Sequence, residues 1–211
     1  MEDYLFAKHL KKPQGEIGKK VGEIMNSMNE YMILYTYKKM NIQDGDNILE
    51  IGFGNGQFIN ELFKINNNIC YNGIELSETM LNEALKLNLN LVETNKIELI
   101  LGSASNMNYP NNFFSKICII NTIYFFKDLK YDLKEVFRVL ENFGMLFISI
   151  RSKELLSKEG FVKHYFNLYE FDEIKEILVS VGFTNIKNNY EKDLSSNIQK
   201  DLLCITAQKA H

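Results

Sequence analysis

The stretch Asn47-Ile48-Leu49-Glu50-Ile51-Gly52-Phe53-Gly54-Asn55-Gly56-Gln57-Phe58 decides the fold. It opens as an apolar strand, breaks into glycines at every second position, and continues with Phe58, Ile59, Leu62 and Phe63 at helical spacing. Such a strand, tight turn and helix start brings backbone N–H groups against a ligand, with no Cβ at Gly52, Gly54 or Gly56 to hold it away. A dinucleotide fingerprint would need Gly-x-Gly-x-x-Gly/Ala; here the sixth position is Gln57 and the third glycine falls one residue early. Glu50 adds a carboxylate at the strand end, which favours a cationic or amino-bearing ligand over a diphosphate. Downstream, Cys70-Tyr71-Asn72-Gly73-Ile74-Glu75-Leu76-Ser77 reads as a second strand ending in an acid, Glu75, at the distance where such folds place a carboxylate on ribose hydroxyls. A nucleoside is the expected ligand.

These two segments resemble the E/D-x-G-x-G-x-G first motif and the G-I/V-D/E-x-S-x-x-M-L segment of class I S-adenosylmethionine-dependent methyltransferases, the second as Gly73-Ile74-Glu75-Leu76-Ser77-Glu78-Thr79-Met80-Leu81. The resemblance implies S-adenosylmethionine as cofactor and S-adenosylhomocysteine as product. It places Glu75 and the adjoining Leu76 at the ribose and the glycine turn at the methionine portion. Glu50 supports that turn and the amino group, through water. Gly102-Ser103-Ala104-Ser105-Asn106-Met107-Asn108-Tyr109-Pro110 resembles the family's G-D-A-x-x-L-P-F loop, which puts Ser103 and Ala104 beside adenine. Ser103 stands where the family usually has aspartate, so a neutral hydroxyl replaces a charged acceptor. Arg138-Val139-Leu140 followed by Gly144-Met145-Leu146-Phe147-Ile148 resembles the R-V-L-K-P-G-G-x-L segment, with Asn142-Phe143 replacing the Pro-Gly part.

A chain of 211 residues, 45% hydrophobic and 24% charged, fits one compact unit, with residues 1–44 as an N-terminal helical cap and 45–211 as the cofactor-binding domain. The net charge of -3 and the lack of a dense Lys/Arg block argue against a nucleic-acid partner. Cys70, Cys118 and Cys204 form no C-x-x-C pair and lie in apolar runs, so buried reduced thiols are expected. No segment reads as a secretion signal or approaches the roughly 20 apolar residues of a bilayer span. A cytoplasmic protein without membrane contact is expected; its oligomeric state is not readable.

Residues 1–18, with Lys8, Lys11, Lys12 and Pro13, read as irregular structure. From Lys19 to Lys39 the residues Val21, Ile24, Met25, Met28, Met32 and Tyr35 mark an amphipathic helix whose methionine face suits core packing, while the family resemblance implies a lid over cofactor and acceptor. Ser77 and Asp128 are N-cap candidates for helices beginning just after them, and Gly182 closes a helix through Ile174, Ile177, Leu178 and Val181. Ile97 to Leu101 is a short strand, and Phe113 to Phe126 is the most apolar strand, running into Asn121 and Tyr124. Ligands in open α/β sheets sit beyond the carboxyl ends of strands, so Asn121 and Tyr124 are expected to face the methyl-transfer site. Their spacing resembles the Asn-Pro-Pro-Tyr motif of nucleic-acid amino-methyltransferases, but both prolines are absent. His164, among Phe161, Tyr165, Phe166 and Tyr169, is the catalytic candidate beside Tyr124. No metal site is expected.

Strands alternating with helices give a doubly wound, Rossmann-like α/β sheet, and the resemblance over residues 45–208 implies seven strands with the last antiparallel. Methyl transfer to a small-molecule acceptor by in-line displacement is the expected function. The competing readings are a cofactor-binding protein of this fold that does not turn over, serving as regulator or partner, and a nucleotide-dependent oxidoreductase, which Gln57 and Glu50 disfavour.

Overall fold

Apolar runs and amphipathic stretches resolve into one seven-stranded sheet in a computed structural model that describes residues 2–193 and 200–211. The strands are β1 (Asn47–Ile51), β2 (Cys70–Glu75), β3 (Ile97–Leu101), β4 (Phe114–Ile120), β5 (Leu140–Arg151), β6 (Phe183–Asp193) and β7 (Lys200–Lys209). Their order across the sheet is β3-β2-β1-β4-β5-β7-β6. The five from β3 to β5 are parallel, and β7 is antiparallel to both of its neighbours, β5 and β6. The doubly wound sheet with an antiparallel last strand is thus as expected.

The helices are α1 (Asp3–Lys11), α2 (Gly15–Lys39), α3 (Ile59–Ile65), α4 (Glu78–Leu87), α5 (Leu89–Glu93), α6 (Leu129–Val139), α7 (Lys153–Leu156) and α8 (Phe171–Val181). Because side chains alternate across a strand, β1 and β4 each feed two cores. Ile48 and Cys118 pack with Met32, Tyr37 and Leu62 from α2 and α3. Leu49, Ile117 and Ile119 pack on the other face with Leu133, Val136, Ile174 and Leu178 from α6 and α8. The Ser77 side chain accepts from the Met80 N–H and that of Asp128 from the Tyr131 N–H, so both N-caps form where their residue types favour them.

Three expectations need correction. Residues 3–11 are helical, not irregular: α1 buries Ala7 and His9, and its Phe6 meets Phe161 edge-on at 5.2 Å. A helix this short draws its stability from docking, which periodicity does not register. The central strand stops at Ile120 rather than Phe126, because Asn121 takes a φ of 55° and turns the chain into a 3₁₀ turn over Ile123–Phe125. Cys70, at the first position of β2, is exposed, whereas Cys118 and Cys204 are buried. Among the described residues no helix is long and apolar enough to cross a membrane.

The close approach of β1 to β4 fixes the sheet edge where the site forms. Gly52 has a φ of +83°, and a Cβ there would lie 2.5 Å from the Thr122 Oγ1. Gly52→Ala should therefore lower unfolding free energy by roughly 1–3 kcal/mol, from backbone strain and the clash together. Chemical denaturation measures it; a loss below about 0.5 kcal/mol would mean that the two turns can part.

Candidate active site

The carboxyl ends of β1 and β2 each deliver a buried acid. Glu50 is 4% exposed and its Oε2 accepts from the hydroxyls of Tyr37 on α2, at 2.7 Å, and Tyr71 on β2, at 3.0 Å. Burial pushes its pKa up to about 7, against the pull of the two tyrosines, and the nearby Glu75 charge adds to the rise. Glu75 is 7% exposed; its Oε2 accepts from the Gly54 N–H at 3.0 Å and its Oε1 from the Ser77 N–H at 2.9 Å. Burial raises its pKa too, while those backbone donors oppose the rise. Neither acid forms a salt bridge among the described residues, so the corner where they meet is suited to a ligand that brings its own positive charge.

Between these acids the glycine turn leaves room. Gly54 has a φ of +62°, and a Cβ at this position would meet no atom within 4 Å, so its missing side chain opens onto the cavity. That cavity has a volume of about 510 Å³ and lies across the carboxyl edge of the sheet. Glu50, Gly52, Gly54, Glu75, Leu76, Ser103, Ala104, Asn121 and Tyr124 all line it. Gly56 does not: it turns toward α4, where a Cβ would meet Ala84 at 2.8 Å, and its carbonyl accepts from the Asn88 side chain at 3.0 Å.

His164 also lies outside the lining, half-buried and edge-on to Tyr4 at 5.5 Å between ring centroids. The histidine in the cavity wall is His9, whose Nδ1 accepts from the Gln14 N–H at 3.3 Å. Tyr124 reaches the cavity, but its hydroxyl accepts from the Arg151 N–H at 2.6 Å, and burial pushes its ionisation far upward. A phenol so held anchors the loop after β4 and is a poor proton acceptor.

Much of the remaining lining is apolar and comes from two segments, α2 and the stretch that follows β5. The first half of α2 contributes Met25 and Met28, and the segment after β5 contributes Leu155, Leu156, Phe161 and Phe166. The methionine stripe of α2 is thus divided, with Met32 in the core and Met25 and Met28 on the cavity. The N-terminal segment is tied down by polar contacts: the Ser77 hydroxyl donates to the Pro13 carbonyl and the Gly15 N–H to the Thr79 Oγ1 at 3.1 Å. Besides His9, two more buried polar lining residues escaped sequence reasoning. Arg151 ends β5, the position rule that singled out Asn121, and pairs with Asp193 at 3.0 Å. Asp132 interrupts the apolar stripe Leu129, Leu133, Val136 of α6, and a carboxylate in such a stripe was the signal.

Glu50 gives the site a pH signature. Its folded pKa of about 7 lies above the ordinary value of 4.5, so the stability it contributes is full below about 4.5 and is lost as pH rises through 7. Glu50→Gln removes that loss. Between pH 5 and 8 the unfolding free energy of the variant should gain on the wild type by up to about 3 kcal/mol. Denaturation at a series of pH values tests this; parallel curves would contradict a buried, proton-holding Glu50.

Residues 49–148 match the methyltransferase domain family. The chain is 28% identical over 189 residues to the Bacillus subtilis methyltransferase YdaC, covering 89% of this chain and 97% of that protein. It is 30% identical over 135 residues to the ubiquinone/menaquinone biosynthesis C-methyltransferase UbiE of Rickettsia prowazekii, covering 62% of this chain but about half, 53%, of that relative's length. A chain from the Haloferax volcanii complex of the Trm112 methyltransferase activator with a methyltransferase superposes with a TM-score of 0.79 at 15% identity, over 90% of this chain and 93% of that one. With the antiparallel seventh strand and the acids flanking the glycine turn, these matches agree on one reading: residues 49–148 form a methyltransferase domain, and the chain has the fold of S-adenosylmethionine-dependent methyltransferases.

Proposed function

We propose that the protein transfers a methyl group to a small-molecule acceptor held against the apolar wall of the cavity. The cofactor is S-adenosylmethionine, as the family sets. The observation that carries the acceptor reading is the cavity itself, which runs from the two buried acids to a chamber walled by Met25, Met28, Leu155, Leu156, Phe161 and Phe166. Its volume of about 510 Å³ falls in the range of small-ligand sites, roughly 300–1,000 Å³. An acceptor with an apolar body and a polar group able to meet Asn121, Arg151 or His9 fits this lining.

The residues present fit the cofactor. Glu75 has the charge and position to accept from ribose hydroxyls, the Gly54 turn leaves space for the ligand, and Glu50 attracts an ammonium group. Once bound, S-adenosylmethionine supplies a methyl group already activated by its sulfonium. The protein's task is then alignment and exclusion of water, and positioning contributes up to ~7–11 kcal/mol in favourable intramolecular cases. Neither His164 nor the Tyr124 hydroxyl is placed to take a proton from an acceptor, so this reading depends on no general base from either.

Glu75→Ala should weaken S-adenosylhomocysteine binding by about 1.5–3 kcal/mol, the loss of a charged acceptor, which is roughly ten- to hundredfold in Kd. Titration calorimetry on the folded variant measures this; unchanged affinity would refute the ribose role. The wild type should melt several degrees higher with S-adenosylmethionine or S-adenosylhomocysteine and not with NAD. It should release S-adenosylhomocysteine with at least one member of a panel of apolar small acceptors. Cofactor binding without transfer to any would favour a regulatory protein.

A further inference from the structure

Asp132 is 2% exposed, yet it lines the cavity, and its Oδ1 has no hydrogen-bond partner. It sits one turn into α6, where the backbone N–H of Asp132 already donates to the Asp128 carbonyl and helix capping falls to the Asp128 side chain. Its carboxyl is thus not the helix cap: the Ser105 hydroxyl and the Asp128 N–H reach its other oxygen, and Oδ1 is left over. Burial and the Asp128 charge raise its pKa, and the Ser105 hydroxyl beside it pulls the other way. In either protonation state at least one carboxyl oxygen is an acceptor. A buried acceptor left without a donor is costly, and buried polar groups in folded proteins are nearly always satisfied by protein, water or ligand.

The sheet order shows which part of a ligand would supply the donor. Along the carboxyl edge, the glycine turn follows β1 and Glu75 ends β2, the next strand outward. The loop Gly102 to Ser105 follows β3, outward again, and Asp132 meets that loop at Ser105. A nucleoside with its ribose at Glu75 and its amino-acid portion at the glycine turn must carry its base toward Gly102 to Ser105. Ser103 in that loop is exposed and neutral. The buried carboxyl on this side comes from α6.

From this placement, which rests on the cofactor reading above, we infer that Asp132 is a specificity residue that accepts a hydrogen bond from the exocyclic amine of the cofactor's adenine. Its unpartnered oxygen is the half of that bond already present in the protein. A base with a carbonyl at the same position would set acceptor against acceptor. Sites built to hydrogen-bond a donor reject such analogues strongly.

The test compares binding of S-adenosylhomocysteine and its deaminated counterpart S-inosylhomocysteine to wild type, Asp132→Ala and Asp132→Asn by calorimetry. Wild type should prefer the adenosyl compound by at least about tenfold. Asp132→Ala should bring the two affinities within about threefold of each other, chiefly by weakening the adenosyl compound. Asp132→Asn, which can turn an amide N–H₂ toward a carbonyl, should reduce or reverse the preference. A single cooperative ligand-free melting transition in Asp132→Ala and Asp132→Asn, as in wild type, separates the effect from misfolding. Adenosyl binding with the wild-type preference intact in Asp132→Ala would overturn the Asp132 assignment alone. Failure of wild type to bind the adenosyl compound would overturn the cofactor placement and this inference with it.

Discussion

A carboxylate taken out of water must be hydrogen-bonded or neutralised, and Glu50 meets that constraint with two phenols from different parts of the fold. Tyr37 comes from the far half of α2 and Tyr71 from β2, so one acid near the end of β1 ties α2 to two strands of the sheet. Much else follows from that tie. With its second half held against the sheet, α2 carries its first half across the carboxyl edge, where Met25 and Met28 become cavity wall rather than core. Burial leaves Glu50 near neutral pH with a charge only partly present, and a cationic ligand would complete it.

Glu75 obeys the same constraint by different means. Its donors are backbone N–H groups from the glycine turn and from the start of α4, so the two loops that would clasp a nucleoside are already joined through one side chain. The segment between α1 and α2 is fastened to this joint, because Ser77 both caps α4 and donates to the Pro13 carbonyl. The acids, the glycine turn and the stretch 13–15 are therefore joined by polar contacts, and the apolar lining residues after β5 lie beyond them.

Where the sequence carried a strong local signal, the fold was legible. Alternating glycines after an apolar strand, an acid closing the second strand, and Ser77 and Asp128 as caps are decided by nearest neighbours in the chain. The parts that depend on distant packing were not. Helix α1 exists because Phe6 and Tyr4 dock on Phe161, His164 and Tyr165 some 150 positions away in sequence, as in the Tyr165 to Tyr4 hydroxyl bond. The same docking draws His164 away from the cavity and brings His9 to it, an exchange no periodicity could reveal. The end of the central strand turned on a single left-handed residue, Asn121, within a run apolar enough to read as continuous. Asp132 was legible in principle as a charge on an apolar helix face, yet its meaning needed the loop after β3 beside it.

The central claim is that the carboxyl-edge cavity holds a nucleoside-bearing cofactor with its ribose on Glu75 and its reactive end toward the apolar chamber. A crystal structure with S-adenosylhomocysteine tests it most directly. Both ribose hydroxyls should lie within hydrogen-bonding distance of Glu75, the ammonium group on the Glu50 side of the glycine turn, and the sulfur facing Met25, Met28 and Phe166. A ligand bound elsewhere, or lying in this cavity with its base at the glycine turn and no ribose contact to Glu75, would contradict it.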